Sequence, residues 1–325
     1  MPKKINYGIS EDLQADIRYE PNACKGYVMD ISLGCPHHCI YCLFSPLEIL
    51  VYKLKNPGYK DDILLLKLDN FLAREDFPPA VYMCYSSDPL GNPAMIQSTI
   101  AILKKLFSHN VSVLFISKAV FTDEIIKVIR QRPDLMEIQV GITSCSDQRN
   151  KIVEPGAPPY EKRLENLKKL SEIKGLSSLT VRIDPMLPLI DDTDENIQKL
   201  LDDVSRLGVK EAVMGYVILT KSMREGMKRN EFLKSSAAAL TEQTETISEQ
   251  ELFSIPFAEK EKKFYRFQEM CKTRGLKMAV CSCKDKKLKN TTLEWICHPF
   301  NRKRREELAE KQGESNYVLE ADHLK

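Results

Sequence analysis

Apolar positions along the chain gather in short blocks separated by amphipathic stretches, and the alternation reads as strand, helix, strand. The expected strands run over Gly26 to Leu33, Val81 to Ser86, Val111 to Ser117, Met136 to Ser144, Leu179 to Asp184 and Glu211 to Leu219. Helix-like stretches are expected between them at Tyr59 to Glu75, Pro93 to His109, Thr122 to Arg132, Tyr160 to Ile173 and Asp194 to Leu207. Strands separated by helices imply parallel βα units, and six of these fit either a partial barrel or an open doubly wound sheet. Ile138, Val140 and Ile142 share one face of their strand, and Glu137, Gln139, Gly141 and Thr143 the other. In the next strand Leu179, Val181 and Ile183 oppose Thr180, Arg182 and Asp184. A parallel strand covered by helices on both sides is apolar on both faces. The polar faces therefore point to a barrel whose interior is a wet, functional cavity.

Outside residues 26–219 the pattern weakens. Residues 1–25 are polar and read as an arm, with Cys24 at no interpretable spacing. Residues 220–257, with Ala237-Ala238-Ala239 and many Glu and Gln, read as a helical insertion or lid. Residues 258–325 read as an extension with a helix from Ala258 to Thr273, a short strand from Leu276 to Cys281 and a charged helix after Arg305. A chain of 325 residues accommodates one large α/β domain with such appendages.

Composition narrows the class. Apolar runs such as Ile63-Leu64-Leu65-Leu66 are too short to span a membrane, and Met1-Pro2-Lys3-Lys4 leads into no signal-peptide core. A cytoplasmic location is expected, where ten cysteines in a large chain favour metal ligation over a disulfide framework. The net charge of +2 hides an asymmetry: Lys260 to Arg305 holds fifteen Lys/Arg against four Asp/Glu. A basic segment of this kind is a candidate contact for nucleic acid, or else a solvated charged face.

The chemistry centres on Cys35-Pro36-His37-His38-Cys39-Ile40-Tyr41-Cys42, three cysteines spaced C-x3-C-x2-C just past the first strand. Three thiolates can hold three irons of a [4Fe-4S] cluster and leave the fourth open to the amino and carboxylate groups of S-adenosylmethionine. A zinc site more often pairs two C-x2-C knuckles. Four further stretches sit where βα loops place chemistry: Cys84-Tyr85-Ser86-Ser87-Asp88, Ser117-Lys118, Thr143-Ser144 and Arg182-Ile183-Asp184-Pro185.

The cysteine loop resembles the signature of the radical SAM superfamily, with Tyr41 as the aromatic residue before the last cysteine. Residues 26–219 as a whole resemble its spore photoproduct lyase-like branch, including Glu154-Pro155-Gly156-Ala157-Pro158 leading to Arg163, and Asp184-Pro185-Met186-Leu187-Pro188. The resemblance implies an α/β fold, a partial (β/α)6 barrel. It also implies S-adenosylmethionine contacts from Tyr41, Ser86, Ser87, Asp88, Lys118, Thr143, Ser144 and Arg182, and a flavodoxin- or ferredoxin-type reductant. Tyr85 stands in the place of the branch's hydrogen-donating cysteine, with Cys84 as rival, and regular alternation lets only one of the two face the cavity.

A second cysteine set, Cys271, Cys281, Cys283 and Cys297 beside His298, departs from that branch and is expected to hold an auxiliary iron-sulfur cluster or zinc. The expected function is reductive cleavage of S-adenosylmethionine followed by hydrogen abstraction from a substrate. Nucleic acid is the first choice, and a peptide or small molecule the alternative. A non-enzymatic iron-sulfur or nucleic-acid-binding protein is the rival of another class.

Overall fold

The computed structural model describes residues 16–20, 26–31, 34–44, 65, 68–73, 80–246 and 251–296. Its strands are β1 (Asp16–Glu20), β2 (Gly26–Asp30), β3 (Ala80–Met83), β4 (Ser112–Ser117), β5 (Met136–Gly141), β6 (Ser178–Met186) and β7 (Glu211–Tyr216), then β8 (Leu219–Thr220), β9 (Glu242–Gln243), β10 (Leu252–Ser254), β11 (Lys277–Cys281) and β12 (Trp295–Ile296). The main helices are α1 (Pro93–Ser108), α2 (Asp123–Ile129), α3 (Asp147–Val153), α4 (Tyr160–Ser171), α5 (Asp194–Arg206), α6 (Lys221–Lys228), α7 (Lys234–Ala239) and α8 (Phe257–Lys272).

Nine strands form one sheet in the order β1-β2-β3-β4-β5-β6-β7-β11-β12. All neighbours from β2 to β12 run parallel; only β1 is antiparallel, so part of the expected arm is an edge strand. The six expected parallel strands are all present, and the chain then returns to add β11 and β12 beyond β7.

The two faces differ as the alternation requires. Met29, Met83, Phe115, Ile138, Val140, Val181, Ile183 and Met214 pack with helical residues such as Leu103, Ile125, Leu167, Leu200 and Phe264 in one large core. The opposite face carries Val28, Tyr82 and Leu114 with Tyr85 and Ile116, a cluster without a helical member. Register continues that face across the sheet as Ile116, Gln139, Thr180 and Glu211, and one rung higher as Gly141, Arg182 and Val213. Helices on one face and a half-apolar, half-polar inner face make this a partial barrel and not a doubly wound sheet. Helix starts follow their caps, with Asn92, Ser146 and Thr193 each accepting a backbone N–H of the first turn.

Two expectations change. The insertion is helical only in α6 and α7; β8, β10 and β9 form a separate antiparallel sheet of two- and three-residue strands, too short to leave a periodic signal. Part of the basic segment is also paired within the fold. Lys260 pairs with Asp285 at 2.6 Å, Lys263 with Asp192 at 2.5 Å, Arg274 with Asp202 at 2.6 Å and Lys287 with Glu242 at 2.9 Å. Arg266 meets Asp194 and Lys284 meets Asp184 in the same way. The cations from Arg302 to Arg305, and the helix expected after them, lie outside the described residues.

Candidate active site

The cysteine loop leaves β2 through Gly34, whose φ of +87° suits glycine. It is then fastened to the link after β5. Ile40 N donates to Val153 O at 3.0 Å, Gly156 N donates to His37 O at 2.9 Å, and His37 Nδ1 lies 3.1 Å from Gly156 O. Gly156 is there because nothing larger fits: a Cβ would stand 2.1 Å from Pro36 O. The Tyr41 hydroxyl donates to Glu154 Oε1, which places the aromatic residue before the last cysteine on a buried carboxylate.

Glu154 is an ionic hub that the sequence motif did not announce. It lies 2.5 Å from Arg163 Nη1 and 3.3 Å from Arg149 Nη1, accepts from Thr143 Oγ1 at 3.3 Å, and all three charged side chains are buried. Burial acts to raise its pKa, but Lys118, Arg163 and Arg149 overcome that and hold the carboxyl well below the usual range. Arg149 in turn meets Asp191 at 2.5 Å.

Asp88 is the clasp on the other side of the loop. Its Oδ1 accepts from Leu90 N at 2.9 Å and Ser117 Oγ at 2.8 Å; its Oδ2 accepts from Lys118 N at 2.8 Å and lies 2.9 Å from His37 Nε2. Burial opposes ionisation, yet these bonds, His37 first, keep the carboxyl below its ordinary pKa. Ser144 is likewise engaged, donating to Asn196 Oδ1 at 3.3 Å and accepting from Ser146 N at 3.2 Å. Ser86 and Lys118 differ from these. Ser86 Oγ is buried without a hydrogen-bond partner among the described residues, and Lys118 lies along Gly141 with its ammonium 5.6 Å from the Tyr41 ring centroid. Burial acts to lower the Lys118 pKa, but Cys39 and Glu154 raise it overall.

Burial, with Asp88 adding to it, pushes the Cys35 thiol up to about 12, and burial raises Cys39 against the pull of Lys118. A coordinating metal deprotonates such thiols. Among the described residues no three His, Cys, Asp or Glu side chains converge on one ion, the loop cysteines included. Each iron of a cubane takes its own thiolate, so the cysteines that hold one need not converge on a point. Two desolvated thiols, Cys35 and Cys39, in the field of the Lys118 cation fit a cluster with an open iron and a zwitterionic ligand.

Strand β3 ends in a break that decides which residue faces inward. Cys84 has φ +61°, in the left-handed region, and packs in the outer core. The break turns Tyr85 onto the inner face, edge-on to Tyr82 at 6.0 Å and Phe44 at 5.3 Å. Ser87 lies beside the Cys84 thiol, which burial raises strongly. Farther along the inner face Arg182 donates to Gln139 Oε1 at 2.9 Å and to Asp184, whose other oxygen meets Lys284. Burial opposes the charge on Asp184, but Lys284 and Arg182 hold its pKa below the usual value.

The C-terminal cysteines occupy different surroundings. Cys271 is buried in the outer core on α8, whereas Cys281 is hydrogen-bonded to Cys283 within the field of Arg182, Asp184 and Lys284. The helix carries Cys271 into the apolar layer, and the strand turns Cys281 to the polar face. Cys297 lies outside the described residues.

Residues 29–204, more than half of the chain, match the profile of the Radical SAM superfamily. The chain belongs to the radical SAM superfamily. Its fold is similar to that of solved spore photoproduct lyases. One, a variant with bound AdoMet and dinucleoside spore photoproduct, gives a TM-score of 0.58 at 15% identity over 84% of this chain and 80% of that one. Another, complexed with dinucleoside spore photoproduct, gives 0.57 at 16% identity over the same shares. A viral protein, Uncharacterized protein ORF301 of Acidianus two-tailed virus, is 24% identical over 244 residues, 68% of this chain and 75% of its own length. This radical SAM chain is an enzyme by its family, and the family implies a [4Fe-4S] cluster and S-adenosylmethionine. No described helix is long and apolar enough to cross a membrane.

Proposed function

We propose that the chain uses Cys35, Cys39 and Cys42 for a radical reaction on a nucleobase-bearing substrate held against the inner face of the sheet. The observation that carries this reading is a three-cysteine loop at the carboxyl end of parallel strands with Lys118 beside it. When bound, the cluster and S-adenosylmethionine supply one electron, from a flavodoxin- or ferredoxin-type donor, and a 5′-deoxyadenosyl radical that abstracts hydrogen. The Lys118 ammonium and the Ser86 hydroxyl serve the carboxylate and amino groups of the methionyl end. Asp88, Thr143 and Ser144 already spend their polar atoms on the frame, so they act as positioning residues. The aromatic wall of Tyr82, Tyr85 and Phe44 suits a planar ring, and the Gln139–Arg182 side suits its polar substituents.

The test is anaerobic reconstitution with dithionite and S-adenosylmethionine, assayed for 5′-deoxyadenosine and for binding of a single-stranded oligonucleotide by fluorescence anisotropy. Tyr85→Ala is expected to weaken that binding by about tenfold, the cost of one lost base–aromatic contact. Because Lys263 and Lys287 are paired within the fold, replacing either is expected to leave the salt dependence of binding unchanged. Tyr85→Phe is expected to retain 5′-deoxyadenosine formation while diverting the product, since the phenol is the hydrogen donor on the inner face. Cys84→Ala, in the outer core, leaves the product pattern as it was. Absence of oligonucleotide binding at low ionic strength would move a peptide or small molecule ahead as substrate.

A further inference from the structure

We propose that Arg182 and Lys284 form an oxyanion subsite at the inner face of the sheet, and that this subsite takes a phosphate group of the substrate. The two cations come from elements far apart in the chain, β6 and the turn after β11, and they meet over one carboxylate. Asp184 receives both, Arg182 on Oδ2 and Lys284 on Oδ1. Its side chain is 2% exposed, whereas 13% of Arg182 and 24% of Lys284 stay open. One negative charge thus lies beneath two positive charges that a ligand can reach. Gln139, which accepts from Arg182 Nη1 at 2.9 Å, is neutral and adds no further negative charge. A partly buried pair of cations over a single carboxylate is costly to desolvate, and a bound anion offsets that cost.

Backbone and glycine positions fix the arrangement. In register, Arg182 stands between Gly141 and Val213 on the inner face. A Cβ at Gly215 would stand 2.6 Å from Asp184 Oδ1, so the glycine lets the carboxylate lie across β7 toward Lys284. A lysine in a turn ordinarily extends into water, as Lys286 does two residues on. Lys284 instead reaches inward, because its turn is held from two sides. Thr244 Oγ1 donates to Lys284 O at 2.6 Å and Lys286 N to Glu245 O at 2.8 Å, while the next residue, Asp285, is buried against Lys260 at 2.6 Å.

A guanidinium fork beside an ammonium point charge suits an oxyanion with several acceptor oxygens. The charge arrangement points to the anion; that its bearer is a nucleotide rests on the nucleobase reading above, with the ring against Tyr82, Tyr85 and Phe44. A phosphate at Arg182 and Lys284 would make the substrate a nucleotide or a strand of them, and not a free nucleoside.

The experiment uses the full chain, reconstituted anaerobically, with a labelled single-stranded oligothymidylate followed by fluorescence anisotropy over a series of salt concentrations. Lys284→Gln and Arg182→Gln are each expected to lower the slope of log K against log salt by about 0.7, the value of one phosphate contact on a single strand. Lys284→Arg keeps the charge and is expected to keep the wild-type slope, which separates loss of the cation from disturbance of the turn. Inorganic pyrophosphate, titrated calorimetrically, is expected to bind the wild type and not the Arg182→Gln/Lys284→Gln double variant. Oligonucleotide binding with an unchanged slope in both single variants would overturn the subsite and leave the nucleobase reading standing. Pyrophosphate binding that depends on the two cations, without oligonucleotide binding, would uphold the subsite and sink the nucleobase reading. Loss of S-adenosylmethionine affinity in place of the slope change would assign the pair to the methionyl carboxylate and overturn the proposal, as would a wild type that binds neither probe.

Discussion

Replacing Cys35, Cys39 and Cys42 together by alanine is expected to abolish 5′-deoxyadenosine formation while leaving the chain folded. The loop is held by contacts that do not involve sulfur: Ile40 N to Val153 O, Gly156 N to His37 O, His37 to Asp88 and Tyr41 to Glu154. Alanine at the three positions keeps all of these, so the thermal midpoint is expected to move little and the loss of activity to report on the thiols themselves. Reconstituted triple variant should also lack the iron and the visible absorbance of a [4Fe-4S] cluster. Undiminished 5′-deoxyadenosine from a folded triple variant would sink the assignment of the loop.

Glu154→Leu is expected to be the most destabilising single change near the site. It removes the carboxylate from between two guanidinium groups that are buried, and neither Arg149 nor Arg163 can reach water instead. Breaking a buried ion pair from one side costs about 3–5 kcal/mol because the remaining charge is left uncompensated. Arg163 keeps acceptors at Pro158 O and Gly141 O, and Arg149 keeps Asp191, which places the expected cost at the lower end of that range. Glu154→Gln retains the shape and one acceptor for Tyr41 and is expected to cost less. Thermal unfolding of the two variants beside the wild type tests the order; a Glu154→Leu protein as stable as wild type would show that the hub is neutral to folding. Gly156→Ala probes the same junction sterically, since its Cβ displaces the carbonyl of Pro36.

Much of this arrangement is legible in the sequence because it rests on short-period signals. Alternation in Glu137 to Thr143 and in Leu179 to Asp184 located the polar inner face, and register in the structure aligns those residues side by side. What was not legible depends on single backbone angles or on distant partners. The left-handed φ of Cys84, which turns Tyr85 inward, leaves no compositional trace. Counting charges from Lys260 to Arg305 does not reveal the partners that lie far back in the chain, at Asp184, Asp192, Asp194 and Asp202. Cys271 and Cys281 look like members of one set in a linear reading, and a helix and a strand send them to opposite layers. Glu154 sits in a Pro/Gly-rich link that reads as a turn, and its ionic role appears only when α3 and α4 bring Arg149 and Arg163 to it.

The placement of β11 and β12 beyond β7 bears on the order in which the molecule is built. The wall that faces Arg182 and Asp184 is supplied by Cys281 and Lys284, which emerge from the ribosome only after the insertion has been made. The cysteine loop and its frame through β6 are synthesised much earlier. A nascent chain thus holds an open sheet edge at β7 and an Asp184 carboxylate with Arg182 but not yet Lys284 as its partner, a state prone to edge pairing. Synthesis of the cysteine loop and synthesis of the far wall are divided by the time taken to translate the insertion and α8.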